Sequence, residues 1–309
     1  MLEHIAVEYG AERRRLRVIK LRGSRYRGGF HDFNIKTGGV EVYPRLVAAD
    51  YRHDFKREPV SSNIPELDAL LGGGIERGTS TLMMGPAGCG KSSIATQFMA
   101  SAAKRGEYAV SFLFDEGSSI YLDRAAGLGT DLHPDVEAGR IYVQEVDPAE
   151  LSPGEFAHNV RVAVDRDHAR VVVIDSLNGY LQAMPDERFL TVQMHELLTY
   201  LNQQGVVTIL IVSQHGFMGD GVGTPIDVSY LADTVILLRY FEAEGSVRRA
   251  ISVIKKRTGY HEDTIRELRM SAKGIEVGKP LSDFHGVLTG VPTYTGKHSA
   301  LSKGRDDEA

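Results

Sequence analysis

The stretch Thr81-Leu-Met-Met-Gly-Pro-Ala-Gly-Cys-Gly-Lys-Ser-Ser93 decides the fold class of this chain. It predicts a short apolar strand, a glycine-rich loop and the start of a helix, and its residues 85–92 match the phosphate-binding pattern G-x-x-x-x-G-K-[ST], the Walker A loop. Glycines let the backbone N–H groups turn inward around phosphate oxygens, and the following helix adds its positive N-terminal dipole. The predicted phosphate-binding residues are Gly85, Pro86, Ala87, Gly88, Cys89, Gly90, Lys91, Ser92 and Ser93.

Three side chains of this loop have specific expected properties. We expect the Lys91 ammonium to bridge the β- and γ-phosphates of ATP, and the Ser92 hydroxyl to ligate Mg²⁺. Cys89 lies beside the predicted helix N-terminus, which should favour its thiolate and make it reactive. Because Cys89 is the single cysteine of the sequence, an intramolecular disulfide and a four-thiolate metal site are excluded.

Two other apolar segments end in carboxylates. Val171-Val-Val-Ile-Asp175 is typical of a Walker B strand, and Asp175 is expected to hold Mg²⁺. Phe112-Leu-Phe-Asp115-Glu116 ends in paired acids, and beside a triphosphate such a pair orients or deprotonates the attacking water or hydroxyl. A helix N-cap or a solvated loop start would also explain Asp115 and Glu116. Their position directly after a strand favours catalysis.

A basic run, Lys255-Lys-Arg257, follows the predicted strand Ala250–Ile254. A fixed ammonium and guanidinium at Lys255 and Arg257 would stabilise charge on a transferring phosphoryl group, as arginine fingers do. The alternative is an ordinary solvated charge run.

Residues 58–280 alternate short apolar runs with amphipathic segments, which predicts an α/β core with a mostly parallel sheet. Helices are expected after Lys91, after the capping box Ser152-Pro-Gly-Glu155, and from Leu190 to Leu201. The predicted strands of this core are Ser80–Met84, Ala109–Phe114, Val171–Ile174, Val206–Val212 and Thr234–Leu238.

An internal repeat sets the expected domain organisation. Gly10–Arg22 aligns without gaps on Gly245–Arg257, and Gly38–Val42 aligns on Lys273–Val277. Two unrelated basic hairpins are the alternative. We predict that residues 1–57 are the β-rich end of a preceding repeat with its linker, that residues 58–280 form the main domain, and that residues 281–309 are a polar, disordered tail.

The composition and net charge of the chain limit the classes of partner that it is expected to bind. Hydrophobic residues make up 42% and charged residues 25%, as in an ordinary soluble globular protein. The 36 Lys and Arg against 41 Asp and Glu leave a net charge of −5, which argues against a nucleic-acid-binding protein. No apolar run is long enough for a bilayer and no secretory signal is evident. We therefore expect a cytoplasmic protein without a membrane contact.

Residues 58–277 resemble the KaiC family of RecA-like ATPases. The resemblance rests on Ser61-Ser-Asn-Ile-Pro-Glu-Leu-Asp-Ala-Leu-Leu-Gly-Gly-Gly74, the Walker A loop, the two acidic strand ends and Lys255-Lys-Arg257. It implies a RecA-like P-loop core, in which a mostly parallel twisted sheet is flanked by helices, and a homo-hexameric ring with ATP between subunits. Lys255 and Arg257 match residues that family members offer to a neighbour's γ-phosphate. Residues 17–47 resemble the end of the first domain of a double-domain member.

The resemblance also assigns roles to three other residues. Asp115 and Glu116 match the paired catalytic acids, and the shorter reach of Asp115 leaves Glu116 as the expected base. Clock members autophosphorylate two adjacent hydroxyl residues, whereas here Ser229 is followed by Tyr230. Ser229 is therefore the single candidate acceptor, and a circadian role does not follow.

Two functions from different classes remain open at the level of the sequence. The first is a Mg²⁺-dependent ATPase ring that also autophosphorylates on serine. The second is a nucleotide-gated scaffold that binds an unidentified protein partner and turns over little ATP. A DNA-translocating motor is disfavoured by the net charge.

Overall fold

A computed structural model describes residues 1–5, 10–182, 190–214, 229–243, 245–288 and 293–294. The strands in these ranges are β1 (Leu2–Ile5), β2 (Arg13–Leu16), β3 (His31–Lys36), β4 (Gly39–Tyr43), β5 (Pro59–Val60), β6 (Ile75–Glu76), β7 (Ser80–Gly85), β8 (Tyr108–Leu113), β9 (Ile141–Glu145), β10 (Ala169–Asp175), β11 (Val207–Ser213), β12 (Thr234–Ala243), β13 (Ser246–Lys256), β14 (Arg266–Ser271), β15 (Gly274–Pro280), β16 (Phe284–His285) and β17 (Thr293–Tyr294). The helices are α1 (Pro65–Leu70), α2 (Lys91–Lys104), α3 (Ser118–Gly127), α4 (His133–Glu137), α5 (Pro153–Asp165), α6 (Leu177–Gln182) and α7 (Leu190–Gln203).

The main sheet has nine strands in the described part of the chain, in the order β15-β14-β13-β12-β7-β11-β10-β8-β9. The six strands from β12 to β9 are parallel, and β13, β14 and β15 extend the sheet as antiparallel neighbours. Strands β7, β10 and β11 are apolar along most of their length because helices cover both faces of the sheet. The predicted α/β fold with a mostly parallel, helix-flanked sheet is confirmed.

Helices α2 and α5 begin where the sequence predicts. The stripe Ile94, Phe98 and Met99 of α2 is fully buried against one face of the sheet. At the start of α5 the Ser152 hydroxyl accepts a hydrogen bond from the Glu155 N–H at 3.2 Å, which is one half of a capping box. Within the described ranges, none of the helices combines the length and apolarity that crossing a bilayer requires.

The N-terminal strands form a separate antiparallel sheet in the order β1-β2-β3-β4. This sheet packs on α5, where Glu155 accepts hydrogen bonds from Tyr43 Oη at 2.7 Å and from Asn34 Nδ2 at 2.6 Å. The Asp32 carboxylate accepts a further bond from the Gly154 N–H at 2.7 Å. These buried polar contacts fix the small sheet to the main one.

The sequence repeat is also a structural repeat. Arg15 pairs with Asp32 between β2 and β3, and Ala250 pairs with Glu267 between β13 and β14. Likewise β3–β4 pair Phe33 with Val42, and β14–β15 pair Leu268 with Val277. Every matched position is 235 residues apart (250 − 15 and 277 − 42), so the two meanders share one register.

The C-terminal boundary predicted at residue 280 lies too early. Val287 is buried in a small cluster with Phe241 and Ala250, and Leu281 and Phe284 pack against it. The folded part therefore extends to at least Val287. Residues 281–287 bury apolar side chains of β12 and β13 that would otherwise be exposed to water. Residues 289–292 and 295–309 lie outside the described ranges.

Candidate nucleotide-binding site

The Walker A loop connects the end of β7 to the start of α2. Lys91 is buried, and its ammonium donates hydrogen bonds to the carbonyl oxygens of Gly85 at 2.9 Å and Pro86 at 2.7 Å. Burial lowers the pKa of Lys91. Gly90 has a φ of +107°, and a Cβ atom there would lie 2.7 Å from Met270 Sδ. The loop is thus closed around the lysine, and only glycine fits at position 90.

Asp175 ends β10, between the ends of β8 and β11. Ser92, the second residue of α2, is near enough to lower the pKa of the Asp175 carboxyl, so the two predicted metal ligands lie close to each other. Burial has the larger effect and raises that pKa to about 6. Within the described residues the buried Oδ2 of Asp175 has no hydrogen-bond partner. A buried oxygen of this kind needs a cation or a proton.

These two residues fit a Mg²⁺ ion that is bound together with phosphates. Mg²⁺ usually takes one or two protein ligands and completes its octahedron with phosphate oxygens and water. Across the described ranges there is no cluster of three His, Cys, Asp or Glu side chains that would hold a metal alone. The Ser92–Asp175 pair is therefore suited to a metal that arrives with a nucleotide.

Asp115 and Glu116, which follow β8, contact different side chains. The Asp115 carboxylate accepts a hydrogen bond from the Ser176 hydroxyl, next to the Walker B strand. The Glu116 carboxylate forms an ion pair with Arg124 of α3. The Phe114 N–H donates to the Asp175 carbonyl oxygen at 2.7 Å, which joins the two acidic strand ends. The structure therefore brings Asp115 and Glu116 to the edge of the sheet that carries the Walker A loop.

Lys255 and Arg257 lie at the opposite edge. Strand β12 runs parallel to β7 with Thr234 beside Thr81, and Lys256 pairs with Thr234. Through Val235, Lys255 is level with Leu82, and Arg257 lies two residues further on. Three to five residue steps along β7 therefore separate the pair from Gly85 of the Walker A loop, about 10–17 Å at ~3.3 Å per residue. The structure therefore does not bring this basic pair to the Walker A loop of the same chain.

The two basic side chains hold a neighbouring turn instead. Lys255 Nζ donates to the carbonyl oxygens of Ser229 at 2.9 Å and Ala232 at 2.8 Å. Arg257 Nη2 donates to the Tyr230 carbonyl oxygen at 3.2 Å. Ser229, the candidate phosphoacceptor, begins the 3₁₀ turn Ser229–Leu231 that these bonds fix.

Two residues that touch the loop were missed by the sequence analysis. Tyr240 Oη donates to the Ala87 carbonyl oxygen at 3.1 Å, and Arg249 Nε donates to that of Gly88 at 3.4 Å. The Arg249 guanidinium also lies 5.6 Å from the centroid of the Tyr240 ring. No motif marks these positions, because they reach the loop only through the pairing of β12 with β7 and β13.

The structure does not favour the reactive thiolate expected at Cys89. Its side chain is fully buried beneath the loop, and burial raises the pKa of the thiol. The nearby Lys91 ammonium, at 3.9 Å from Sγ, opposes this effect but does not reverse it. Desolvation of the thiolate therefore outweighs the helix N-terminus that the sequence offers.

We expect the native chain to react with a disulfide reagent at pH 8 more slowly than the unfolded chain, by about tenfold or more, because reaction requires local opening. The measurement compares the absorbance traces of thiol release with and without denaturant. Equal rates would contradict the burial of Cys89.

Comparison with known proteins agrees with this geometry. The family model described as "ATPase: KaiC" matches residues 60–282. The circadian clock protein KaiC3 of Synechocystis is 28% identical over 284 residues, which cover 92% of this chain and 56% of that protein. The circadian clock oscillator protein KaiC of Synechococcus elongatus is 27% identical over 281 residues, covering 91% of this chain and 54% of that protein. This chain spans about half the length of these curated relatives. It belongs to the KaiC ATPase family and carries that family's P-loop nucleotide-binding domain.

Proposed function

We propose that this chain binds ATP with Mg²⁺ at the Walker A loop and hydrolyses it within a homo-oligomeric ring. The observation that carries the proposal is the buried Asp175 oxygen, which has no hydrogen-bond partner among the described residues, at the end of the strand beside the loop that holds the buried Lys91 ammonium. A hydroxyl, a carboxylate and a cation converge there in the arrangement that phosphoryl transfer requires. Burial raises the pKa of Asp175, and a bound cation would favour its ionised form.

Each residue has a role in this proposal. The loop N–H groups hold the phosphates, and Lys91 exchanges its bonds to Gly85 and Pro86 for bonds to phosphate oxygens. Mg²⁺, held through Ser92 and Asp175, neutralises charge on the β- and γ-phosphates when bound. Glu116 accepts the proton of the attacking water.

The ring follows from the position of the basic pair. Lys255 and Arg257 lie three to five residue steps from their own Walker A loop along β7, about 10–17 Å at ~3.3 Å per residue, and both side chains contact the Ser229–Leu231 turn or its neighbour Ala232. They contact a γ-phosphate only if it belongs to a neighbouring subunit. A closed ring, of six subunits as in the resemblance, gives every site such a neighbour.

The test is ATP turnover by the purified chain with Mg²⁺ and with excess EDTA, together with its mass in solution with and without ATP. We expect Mg²⁺-dependent phosphate release and a nucleotide-dependent oligomer. Tight binding of ATP without phosphate release would favour the nucleotide-gated scaffold.

One observation favours that second candidate. Lys255 and Arg257 hold the Ser229–Leu231 turn, and a neighbour's phosphate would compete for the same cations. Loading of the neighbouring site would thus loosen the turn and change the surface that a protein partner meets.

Serine autophosphorylation is a separate expected outcome. Because Ser229 lies at the edge opposite its own Walker A loop, transfer must come from another subunit. Incubation with Mg-ATP should place phosphate on Ser229, located by peptide mass spectrometry. A Lys91→Ala chain mixed with a Ser229→Ala chain should still be labelled, because donor and acceptor are then on different subunits. Phosphate only at other positions, or none, would exclude this activity.

We further propose that residues 1–57 correspond to the end of a preceding KaiC-type repeat. The shared register with β13–β15 supports this, as do Ile35 and Val40, which are 63% and 59% exposed. Their counterparts 235 positions later, Met270 and Ile275, lie on the main core, with Met270 beside the Walker A loop. The small sheet therefore has an apolar face that suits a second ATPase body.

A further inference from the structure

The surroundings of Glu116 contain a basic residue that no motif singles out. Glu116 lies in the loop between β8 and α3, where its side chain is 26% exposed. Its Oε1 pairs with Nη2 of Arg124, which is eight residues further along and two turns into α3. A glutamate on a loop has several free torsions, and this pair restricts them.

Arg124 is itself held by a rigid support. Its guanidinium carbon lies 5.4 Å from the centroid of the Tyr121 ring, one turn earlier in α3. Tyr121 is fully buried, and its hydroxyl contacts Met99 Sδ at 3.6 Å. Met99 belongs to α2, the helix that begins with Lys91. A chain of contacts thus connects the Walker A helix to the Glu116 carboxylate.

The ion pair also lies near the proposed metal site. Phe114, two residues before Glu116, donates its N–H to the Asp175 carbonyl oxygen at 2.7 Å, and the Asp115 carboxylate accepts a hydrogen bond from Ser176, the residue after Asp175. The loop that carries Glu116 is therefore fixed to the end of the Walker B strand.

We infer that Arg124 is a positioning residue, which holds the Glu116 carboxylate at the nucleotide edge of the sheet in the orientation that the attacking water requires. The inference rests on the proposed ATP hydrolysis and deepens it. Orientation of a catalytic group before reaction supplies part of the rate, so loss of the support lowers turnover without weakening nucleotide binding.

The test is a double-mutant cycle on the full chain, with Arg124→Gln, Glu116→Gln and the double variant. Arg124→Gln keeps the apolar stem over Tyr121 and removes the charge. We expect it to lower kcat about tenfold, with KM and the affinity for a fluorescent ATP analogue within about twofold of wild type. Arg124→Lys should recover most of the loss. In the Glu116→Gln background the same change should alter kcat by less than about twofold.

Two controls separate positioning from folding. Arg140→Gln removes an ion pair with Asp135 at the opposite edge of the sheet and should leave kcat unchanged. Thermal unfolding of each variant reports stability. If Arg124→Gln is less stable than wild type, Arg124→Met provides a second neutral side chain of similar length, with the same expected loss of kcat.

The outcomes distinguish this inference from the proposed function. If Glu116→Gln lowers kcat but Arg124→Gln does not, or if Arg124→Gln has the same effect in both backgrounds, the positioning role is wrong and ATP hydrolysis stands. If Glu116→Gln keeps wild-type turnover, the catalytic role of Glu116 and the role of Arg124 both fail. A wild-type chain without turnover would refute the proposed function itself, and the positioning role with it.

Discussion

Lys91→Ala is expected to weaken ATP binding about 100-fold and to remove measurable turnover. The estimate follows from the loss of two charge-assisted hydrogen bonds to phosphate at about 1.5 kcal/mol each, with 1.4 kcal/mol per tenfold change. Among the described side chains, none with a positive charge other than Lys91 is buried inside the loop. Titration of a fluorescent ATP analogue and a phosphate-release assay measure the two effects.

Lys104→Ala provides the matched control. Lys104 ends the same helix, is exposed, and lies about 20 Å from Lys91 along α2 at 1.5 Å per residue. The control should bind and hydrolyse ATP like the unmodified chain. Normal turnover by Lys91→Ala would overturn the assignment of the Walker A loop.

Arg257→Ala is expected to lower turnover about 1,000-fold, the lower end of what an arginine finger contributes, while ATP binding stays intact. The guanidinium would stabilise charge that develops on the transferring phosphoryl group of the neighbouring site. ATP binding should stay intact because the Walker A loop, and not Arg257, holds the phosphates before the reaction. Within its own chain Arg257 contacts Tyr230 and Asp233, and its side chain is 52% exposed, so the fold should tolerate the change. Arg269→Ala, which removes an exposed arginine from β14, is the control.

Mixing experiments decide whether this residue acts across an interface. Arg257→Ala and Lys91→Ala chains are each expected to be inactive alone. In a mixed ring, some interfaces join an intact Walker A loop to an intact Arg257, and part of the activity should return. If the subunits exchange, shown by mass spectrometry of mixed rings, and no activity returns, Arg257 does not act in trans.

The strands and helices of the core were predictable because their signals are local. Strands β7, β10 and β11 are apolar runs that end at a glycine or a polar residue, and α2 and α5 carry an apolar stripe at helical spacing. The Walker A loop is contiguous, so one stretch of sequence contains both its glycines and its lysine. The end of the fold was missed because Leu281, Phe284 and Val287 show no periodicity and are buried only by the surface they meet.

The sequence predicted the chemical properties of individual side chains less well than it predicted the secondary structure. The position of Cys89 at a helix N-terminus predicts a thiolate, yet its burial raises the thiol pKa. Glu116 was predicted as a catalytic acid, but its partner Arg124 was not, since an ion pair at a separation of eight residues crosses the turn between a strand and a helix. The thiol pKa of Cys89 and the ion pair of Glu116 both depend on neighbouring groups that only the folded chain brings close to them.

The sequence by itself determined the family, the α/β core, the phosphate loop and the acids at the strand ends. These features depend on residues adjacent in the chain, or on strands whose carboxyl ends meet at one edge of any parallel sheet. Only the tertiary structure decided that Lys255 and Arg257 lie at the opposite edge and that Tyr240 and Arg249 reach the Walker A loop. The reason is physical: β12 is parallel to β7 while β13 is antiparallel to β12, and such pairings depend on packing between segments far apart in the chain.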